Sequence, residues 1–320
     1  MKILSEVDIE TIAKPKQWVD TMELALKSAA DKAYFTPERM HLDMEENTLL
    51  LMPSTGPLMF ATKLVSVFPA NKSIGKPIIQ GTVLLNDGKT GETLALLNGS
   101  KLTAMRTAAV AVVGARHLNS KTNPSIGIVG AGIQGSHIAW MASDELESKS
   151  IFVYDRSEEV INEFNEFLSQ KNPLIKVVVC GSVEELLQHS DIIFTATTSQ
   201  KPVLPNKKDL LMGKIFIGVG SYKPDTREFP VVLYDLIDRI WIDADHGVKE
   251  SGDLIFPLEN GMIGRSEVKN ISLLISGKEK KSNATTHLYK TVGLGIFDLF
   301  AAQLVYEKAE SMKLGLSVEI

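Results

Sequence analysis

The stretch that decides the fold is IGIVGAGIQG, residues Ile126–Gly135. Its glycines Gly130, Gly132 and Gly135 have the spacing G-x-G-x-x-G between a β-branched run and a helical pattern, and Asp155 follows the last glycine by 20 residues. Glycine lets the backbone turn tightly and approach a pyrophosphate, and the first N–H groups of the next helix attract its negative charge. In this context the motif predicts a dinucleotide site rather than a structural turn.

Short β-branched runs alternate with helical stretches from Ser125 onward, which is typical of a parallel sheet covered by helices on both faces. Between the third and fourth runs, Ser182 and Glu185 have the spacing of a capping box and predict the start of a helix. We therefore predict an α/β, Rossmann-type domain with six strands, at residues 126–130, 151–155, 175–180, 191–197, 214–220 and 239–245.

The position of each residue in this pattern predicts the cofactor contacts. Asp155 is placed to accept a hydrogen bond from a ribose 2′-hydroxyl, which favours NAD(H). Arg156 could pair with a 2′-phosphate, which leaves NADP(H) open, or it could be a solvated residue at a helix start. The residues expected to bind the cofactor are Gly130, Gly132, Ile133, Gln134, Gly135, Asp155, Arg156 and Thr197.

The first 115 residues have a different pattern, in which strand-like segments are separated by Gly, Pro and Asn turns. The turn NDGKTGE, Asn86–Glu92, predicts a hairpin in which Gly88 and Gly91 take positive φ angles. Helices are expected at about residues 100–117 and 291–313. We predict an antiparallel α+β region with strands at residues 48–52, 59–68, 78–85 and 93–97.

Two cations of this region lie among apolar neighbours. At every second position of its predicted strand, Lys63 shares a face with Met59, Ala61, Val65 and Val67. Three and four positions away on its predicted helix, Arg106 has the neighbours Leu102, Thr103, Ala109 and Val110. A buried cation without a partner is costly, so each must meet a protein acid or an anionic ligand.

Either cation alone would be interpreted as a side chain that reaches solvent or as part of a structural ion pair. Two of them in one domain favour a pocket that binds a carboxylate. Arg39 is less informative, because Glu38 and Asp43 are near it in the sequence.

The composition excludes several classes of protein. The 320 residues indicate about two domains, and a net charge of −5 argues against a nucleic-acid partner. Acidic residues interrupt the N-terminus where a secretory signal would be apolar, and no apolar run approaches the roughly 18 residues of a membrane-spanning helix. The single cysteine, Cys180, cannot form an internal disulfide, so a cytoplasmic location is expected.

The histidines and acids do not form a metal-binding pattern. No pair of the six histidines has HxxxH spacing, and none lies in a cysteine or carboxylate cluster, so no metal is expected. Asp243, Asp245 and His246 end the sixth predicted strand, where a polar strand end is favoured over a ligand site.

Several longer stretches are more specific than the glycine motif. They are PERMHLDM (37–44), LLLMPS (49–54), FATKLVSVFPANKSIGKPIIQGTVLLNDGKTGETLALLNGSKLTAMRTAAVAVVGARHL (60–118), GIVGAGIQG (127–135) and KTVGLGIFD (290–298). In these stretches the chain resembles the ornithine cyclodeaminase/mu-crystallin family over nearly its whole length. The resemblance implies a homodimer, with a Rossmann domain at residues 116–290 and a substrate-binding and dimerisation domain formed by residues 1–115 and 291–320.

The same resemblance implies roles for individual residues. Arg39, Lys63 and Arg106 would hold the carboxylate of a small imino or amino acid, and Met52 would line the same pocket. Lys63 is also the candidate catalytic residue, which would polarise or protonate the substrate nitrogen.

One departure from the family pattern bears on the reaction. After the fifth Rossmann strand, cyclodeaminases have an aspartate that acts on the substrate amine, in a segment like GGDCPGK. Here the segment is GVGSYKPDTRE, residues 218–228, with Tyr222 at that position and Asp225 three residues later. We therefore expect NAD(P)H-dependent reduction of a small cyclic imino acid, Δ1-pyrroline-2-carboxylate or a related ketimine, to the L-amino acid. Ornithine cyclodeaminase with recycled NAD, alanine dehydrogenase and a non-catalytic ligand-binding protein remain alternatives.

Overall fold

The computed structural model describes residues 1–319. Its strands, in chain order, are β1 (Lys2–Leu4), β2 (Met40–Met44), β3 (Asn47–Thr55), β4 (Met59–Val67), β5 (Ile79–Asp87), β6 (Thr93–Asn98), β7 (Ile126–Val129), β8 (Ser150–Tyr154), β9 (Lys176–Val179), β10 (Ile192–Thr195), β11 (Ile215–Gly218), β12 (Ile240–Ile242), β13 (Val268–Asn270), β14 (His287–Lys290) and β15 (Leu316–Ser317).

Its α-helices, in the same order, are α1 (Glu6–Thr11), α2 (Pro15–Ser28), α3 (Gly99–Leu118), α4 (Ile133–Glu145), α5 (Glu158–Lys171), α6 (Val183–His189), α7 (Lys208–Leu211), α8 (Val231–Tyr234), α9 (Gly247–Glu250), α10 (Gly252–Glu259), α11 (Ile271–Ile275) and α12 (Gly295–Met312). Two 3-10 helices span Pro69–Ile74 and Arg265–Glu267. No helix within residues 1–319 has both the length and the apolar character needed to cross a membrane.

The chain divides into two compact units. Unit 1 consists of residues 1–107 together with the chain from residue 294 onward, and unit 2 consists of residues 108–293. The first boundary therefore lies inside α3, and the second lies just before α12.

Unit 1 contains a seven-stranded sheet in the order β15-β1-β6-β5-β4-β3-β2. Strands β2 to β6 are antiparallel neighbours, which confirms the α+β prediction for this region. Side chains alternate between two faces, and the face that packs against α12 contains the buried residues Met52, Ala61, Val83 and Leu85. The sequence did not predict β1, β2 or β15.

The turn between β5 and β6 differs from the prediction at one glycine. Gly91 has a φ of 76°, as expected, but Gly88 does not have a positive φ. Instead, the Gly88 N–H donates to the Leu58 carbonyl oxygen at 2.8 Å, and a Cβ on Gly88 would lie 2.8 Å from that oxygen. The prediction was wrong for Gly88 because close packing against the neighbouring turn, rather than backbone handedness, requires glycine there.

Unit 2 contains an eight-stranded parallel sheet in the order β13-β12-β14-β11-β10-β7-β8-β9. The six predicted strands are present and the Rossmann-type prediction is confirmed, but the count of six was wrong, because β13 and β14 were missed. The strand order reverses between β7 and β10, and ligands of such sheets bind in the crevice beyond the carboxyl ends at that point.

The predicted start of α6 is also confirmed. The Ser182 Oγ accepts a hydrogen bond from the Glu185 N–H at 3.1 Å, and the Glu185 carboxylate accepts one from the Gly181 N–H at 2.7 Å. Both side chains therefore satisfy backbone N–H groups at the beginning of the helix.

Candidate functional site

Lys63 lies on the buried face of the unit 1 sheet, in the middle of β4. Its side chain is 3% exposed, and its ammonium is 2.9 Å from Asp298 Oδ2 and donates a hydrogen bond to Asp298 Oδ1 at 3.0 Å. Asp298 belongs to the first turn of α12 and is 1% exposed. The apolar neighbours of Lys63 thus correctly predicted a buried cation with a partner, and the partner is a protein acid.

Arg106 approaches the same carboxylate from α3. Its Nε donates a hydrogen bond to Asp298 Oδ1 at 3.2 Å, and its side chain is buried. One turn earlier on the same helix, Thr103 Oγ1 accepts a hydrogen bond from the Lys63 ammonium at 3.4 Å. We call Lys63, Arg106 and Asp298 the cation cluster, since two buried cations face one buried acid.

Burial and charge oppose each other in setting the acidity of this cluster. The pKa of Lys63 is lowered to about 8, chiefly by burial and also by the charges of Arg106 and Arg39, while the charge and hydrogen bond of Asp298 oppose the shift. Burial would raise the pKa of Asp298, but the charges and hydrogen bonds of Arg106 and Lys63 outweigh it and hold that pKa below its ordinary value. A lysine that titrates near neutral pH therefore lies beside an acid that stays ionised.

The structure brings the two other predicted pocket residues into the same region of unit 1. Met52 lies directly opposite Lys63 in the register of β3 with β4, and it is buried. Arg39 lies just before β2, is partly buried, and is close enough for its charge to act on Lys63.

The sequence did not single out Asp298. Residues Gly295–Ala302 are all buried, so the first part of α12 has no apolar periodicity that marks one face. An acid in a first turn is also common for a different reason, because it interacts favourably with the N-terminus of a helix. The available signal was the cost of two buried cations, which required an acid or an anion.

In unit 2, the predicted glycine loop joins β7 to α4. Gly130 has a φ of 97°, and a Cβ there would lie 2.7 Å from the Ala196 carbonyl oxygen. A Cβ on Gly135 would collide with the carbonyl oxygen of Gly130, whereas a Cβ on Gly132 would meet nothing within 4 Å. The turn therefore requires glycine at Gly130 and Gly135, and the space beside Gly132 is open.

The start of α4 fits a pyrophosphate. Gly132 is the residue before the helix and provides no side-chain cap for the first N–H groups, and Ile133, the first helical residue, is exposed. Gln134 follows it and is partly buried. Uncapped N–H groups at the beginning of a helix beside open space are the donors that bind the phosphates of a dinucleotide. The residues present therefore fit such a cofactor.

Asp155 follows β8 and is tied to the glycine loop. Its Oδ2 accepts a hydrogen bond from the Ala131 N–H at 2.9 Å, and its Oδ1 accepts one from the Ser157 N–H at 3.0 Å. Arg156 is exposed and lines a cavity of about 570 Å³ in unit 2. Among the other residues that line this cavity are Lys201, Tyr222, Lys223 and Asp225.

Thr197 follows β10 and contacts an acid that the sequence did not indicate. Its N–H and its Oγ1–H donate to Glu228 Oε1 at 2.8 Å and 2.9 Å. Glu228 lies in an irregular segment without periodicity, so no local pattern distinguishes it from the surface acids nearby.

The segment that differs from the cyclodeaminase pattern lies after β11. Tyr222 is 42% exposed, and Asp225 accepts a hydrogen bond from Gln200 Nε2 at 3.1 Å. Asp225 is therefore engaged with a neighbouring loop.

Within residues 1–319, no group of three or more His, Cys, Asp or Glu side chains is arranged to hold a metal ion. Asp243, after β12, accepts hydrogen bonds from the Thr291 Oγ1–H at 2.6 Å and from the N–H groups of Val292 and Gly293 at 3.0 Å and 2.9 Å. The Asp243 carboxylate therefore holds the segment that follows β14.

Comparison with known proteins agrees with this geometry. A family model described as the ornithine cyclodeaminase/mu-crystallin family matches residues 1–313. The chain belongs to this family. The resemblance predicted from the sequence is therefore confirmed.

Two relatives and one solved structure illustrate the similarity within this family. The Δ1-pyrroline-2-carboxylate reductase of Bacillus cereus is 31% identical over 100% of both chains. The ketimine reductase mu-crystallin of Mus musculus is 29% identical over 79% of this chain and 77% of its own. The structure of the Thermococcus litoralis Δ1-pyrroline-2-carboxylate reductase in complex with NADH and L-proline has a TM-score of 0.90 and 32% identity, covering 99% of this chain and 100% of that chain.

Proposed function

We propose that this protein reduces a small cyclic imino acid, Δ1-pyrroline-2-carboxylate or a related ketimine, to the corresponding L-amino acid. The observation that carries the proposal is the cation cluster, in which Lys63 and Arg106 share the acid Asp298 in the buried interior of unit 1. The cluster has one more positive than negative charge, and burying that charge is costly until an anionic ligand compensates it.

The anion that we propose for this cluster is the carboxylate of the substrate. Arg106 uses Nε for Asp298, so its two terminal nitrogens would receive the carboxylate in a forked hydrogen bond. Arg39 would contribute a second guanidinium, and the buried Met52 would provide an apolar wall for the ring. Binding of this kind fixes the orientation of the imine, which lowers the entropic part of the barrier.

Lys63 would supply the proton. Reduction of C=N adds a hydride to carbon and a proton to nitrogen, and an ammonium whose pKa is about 8 can release a proton near neutral pH. Asp298 would hold that ammonium in place and stabilise its charge before transfer. Solvent would then return a proton to Lys63.

The cofactor would be held by the unit 2 residues predicted from the sequence. Gly130, Gly132, Ile133, Gln134 and Gly135 form the pyrophosphate loop, Thr197 would lie at the crevice beyond β10, and Asp155 would accept from the ribose. When bound, NADH supplies the hydride that reduces the imine carbon. Use of NADPH is part of the proposal, because Arg156, Lys201 and Lys223 line one cavity and could pair with a 2′-phosphate.

Unit 1 is proposed to bind substrate and to form a homodimer. The sheet face opposite Lys63 contains an apolar patch, in which Met40, Leu51 and Leu64 are in register across β2, β3 and β4. Met40 and Leu64 are 55% and 43% exposed. Exposed apolar patches of this kind mark interaction surfaces, and a second copy of the same face would cover it. We assign the activity to the cytoplasm, where reduced nicotinamide cofactor is available.

A substrate panel tests the proposed reaction. Oxidation of NADH and NADPH would be followed with Δ1-pyrroline-2-carboxylate, with Δ1-piperideine-2-carboxylate, and with pyruvate plus ammonia, and ornithine would be tested without added cofactor. We expect turnover with one or both cyclic imines. Activity on ornithine alone would indicate a cyclodeaminase, activity on pyruvate alone an alanine dehydrogenase, and binding without turnover a non-catalytic protein. Each of these outcomes would overturn the proposal.

A further inference from the structure

One buried carboxylate of unit 2, that of Glu228, accepts four hydrogen bonds. Its Oε1 accepts the N–H and the Oγ1–H of Thr197 at 2.8 Å and 2.9 Å. Its Oε2 accepts the Oγ1–H of Thr195 at 2.9 Å and the N–H of Gly220 at 2.8 Å. The donors belong to the ends of two neighbouring strands, β10 and β11, and Glu228 has no exposed surface.

The two segments that Glu228 joins are in close backbone contact. A Cβ on Gly220 would collide with the backbone of Thr197, so the approach is possible only because residue 220 is glycine. Close approach of two backbones at the carboxyl edge of a parallel sheet leaves their N–H groups in need of an acceptor. The Glu228 carboxylate provides that acceptor on both sides.

The predicted cofactor region depends on this junction. The glycine loop rests on the segment that Glu228 holds, because a Cβ on Gly130 would lie 2.7 Å from the carbonyl oxygen of Ala196, between Thr195 and Thr197. The same two segments continue into the walls of the Arg156 cavity, at residues 198–201 and at residues 222, 223, 225 and 226. A shift of the segments that Glu228 joins would therefore move both the glycine loop and the walls of the Arg156 cavity.

Further buried groups hold Glu228 itself. Asp253 Oδ1 accepts hydrogen bonds from the N–H groups of Glu228 and Phe229 at 2.8 Å and 3.1 Å. Lys290, at the end of β14, is fully buried, and its positive charge interacts favourably with Asp253 and Glu228. Buried carboxylates are tolerated when they are hydrogen-bonded and a positive charge lies near them, and Glu228 meets both conditions.

We propose that Glu228 is a positioning residue for the dinucleotide, whose carboxylate holds the segments after β10 and β11 in the arrangement that the glycine loop requires. The inference rests on the cofactor use proposed above and adds a residue that acts through others. In this role, Glu228 neither donates nor accepts a proton in the reaction. Its effect is on the affinity for the cofactor, through Thr197 and Gly220.

Glu228→Gln tests this role, because an amide accepts hydrogen bonds only through its oxygen, and two of the four donors lose their acceptor. We expect the Kd for NADH to rise about tenfold or more, the size of effect for one or two lost buried hydrogen bonds. The KM for the imine, and kcat at saturating NADH, should change much less. If the substitution only destabilised the fold, the amount of active protein would fall, but the KM values for NADH and for the imine would not change relative to each other.

The matched control is Asp191→Asn. Asp191 accepts the N–H and the Oγ–H of Ser125, both at 2.9 Å, just before β10 at the opposite edge of the same sheet. Its replacement should leave the Kd for NADH unchanged.

A milder variant covers the case in which Glu228→Gln does not fold. Thr195→Val keeps the shape of a buried strand residue and the carboxylate but removes one of its donors, and we expect the Kd for NADH to rise about threefold to tenfold. Thermal unfolding would be measured for every variant. Folded variants that bind NADH as tightly as the wild type would overturn the positioning role. If Glu228→Gln is unfolded, an unchanged Kd for NADH in Thr195→Val is enough to overturn it. A wild-type protein that binds no NADH would instead overturn the proposed function.

Discussion

Asp298 accepts a hydrogen bond from the Lys63 ammonium at 3.0 Å, although 235 positions separate the two residues in the chain. The same carboxylate oxygen accepts a hydrogen bond from Arg106 Nε at 3.2 Å. After burial, the largest influence on the pKa of Lys63 is therefore the charge of a residue on α12, which opposes the effect of burial.

The rate of imine reduction should fall as the pH rises through about 8. Lys63 is protonated below its pKa of about 8 and neutral above it, and only the ammonium can donate a proton. The acid that it contacts does not add a second alkaline step, because the pKa of Asp298 is held below its ordinary value and its carboxyl is already ionised. A profile of kcat against pH checks this, and a profile that stays flat well above pH 8 would contradict it.

Asp298→Asn should move that alkaline limb to lower pH. The Asp298 charge is the main influence that raises the pKa of Lys63 against burial, so its loss should lower that pKa below its value of about 8. The pH profile of the folded variant is the measurement. Glu310→Gln, an exposed position on the same helix, is the control and should leave the profile unchanged. If the limb stays in place in Asp298→Asn, Asp298 does not set the acidity of Lys63.

Lys63→Met should abolish turnover and leave NADH binding intact. Loss of a general acid lowers kcat by about a hundredfold to ten-thousandfold, whereas the glycine loop belongs to unit 2 and is unaffected. Steady-state kinetics and NADH titration give the two readouts. Lys76→Met replaces an exposed lysine of the same unit and should behave like the wild type. Turnover near the wild-type rate in Lys63→Met would remove Lys63 from the mechanism.

Arg156→Ala should raise the KM for NADPH by about tenfold and the KM for NADH much less. A charge-assisted hydrogen bond to the 2′-phosphate is worth about 1.5 to 3 kcal/mol, and NADH has no group to make it. Kinetics with both cofactors provide the comparison. Lys207→Ala removes an exposed cation of the same unit, which lies 3.7 Å from Glu184, and should affect neither KM. Equal increases for the two cofactors would argue against a phosphate contact.

Leu64→Glu should dissociate the proposed homodimer. It would place a charge in the middle of the apolar face formed by β2, β3 and β4, where burial against a second copy is unfavourable without a partner. Light scattering after size-exclusion chromatography reports the mass. Val7→Glu changes an apolar residue on α1 that is 69% exposed, and it should leave the mass unchanged. A Leu64→Glu variant with the same mass as the wild type would place the interface elsewhere.

Local patterns explain what could be predicted. The glycine loop and the six β-branched strands could be predicted because each is a short stretch whose structure depends on residues near it in the sequence. The burial of Lys63 could be predicted from the alternation of side chains along its strand. Strand β14 was missed for the opposite reason. Its sequence HLYK begins and ends with a polar residue, unlike the apolar runs of other central parallel strands, and it follows a polar loop.

The acids that complete the two sites were not predictable in the same way. Asp298 and Glu228 are defined by donors far from them in the chain, at Lys63 and Arg106 for one and at Thr195, Thr197 and Gly220 for the other. Periodicity carries no information about such partners. The requirement for an acid could be stated from the buried cations, but its place in the sequence could not.

Because unit 1 is completed by α12, its folding is tied to the order of synthesis. Unit 2 is one continuous segment, residues 108–293, and all of it is made after Lys63 and before Asp298. At about 5 to 20 residues per second, translation of that segment lasts on the order of ten to forty seconds. During this interval the nascent N-terminal sheet has neither its covering helix nor a countercharge for its lysine. Unit 2 is therefore free to fold first on the ribosome, and unit 1 can close only once α12 has been made.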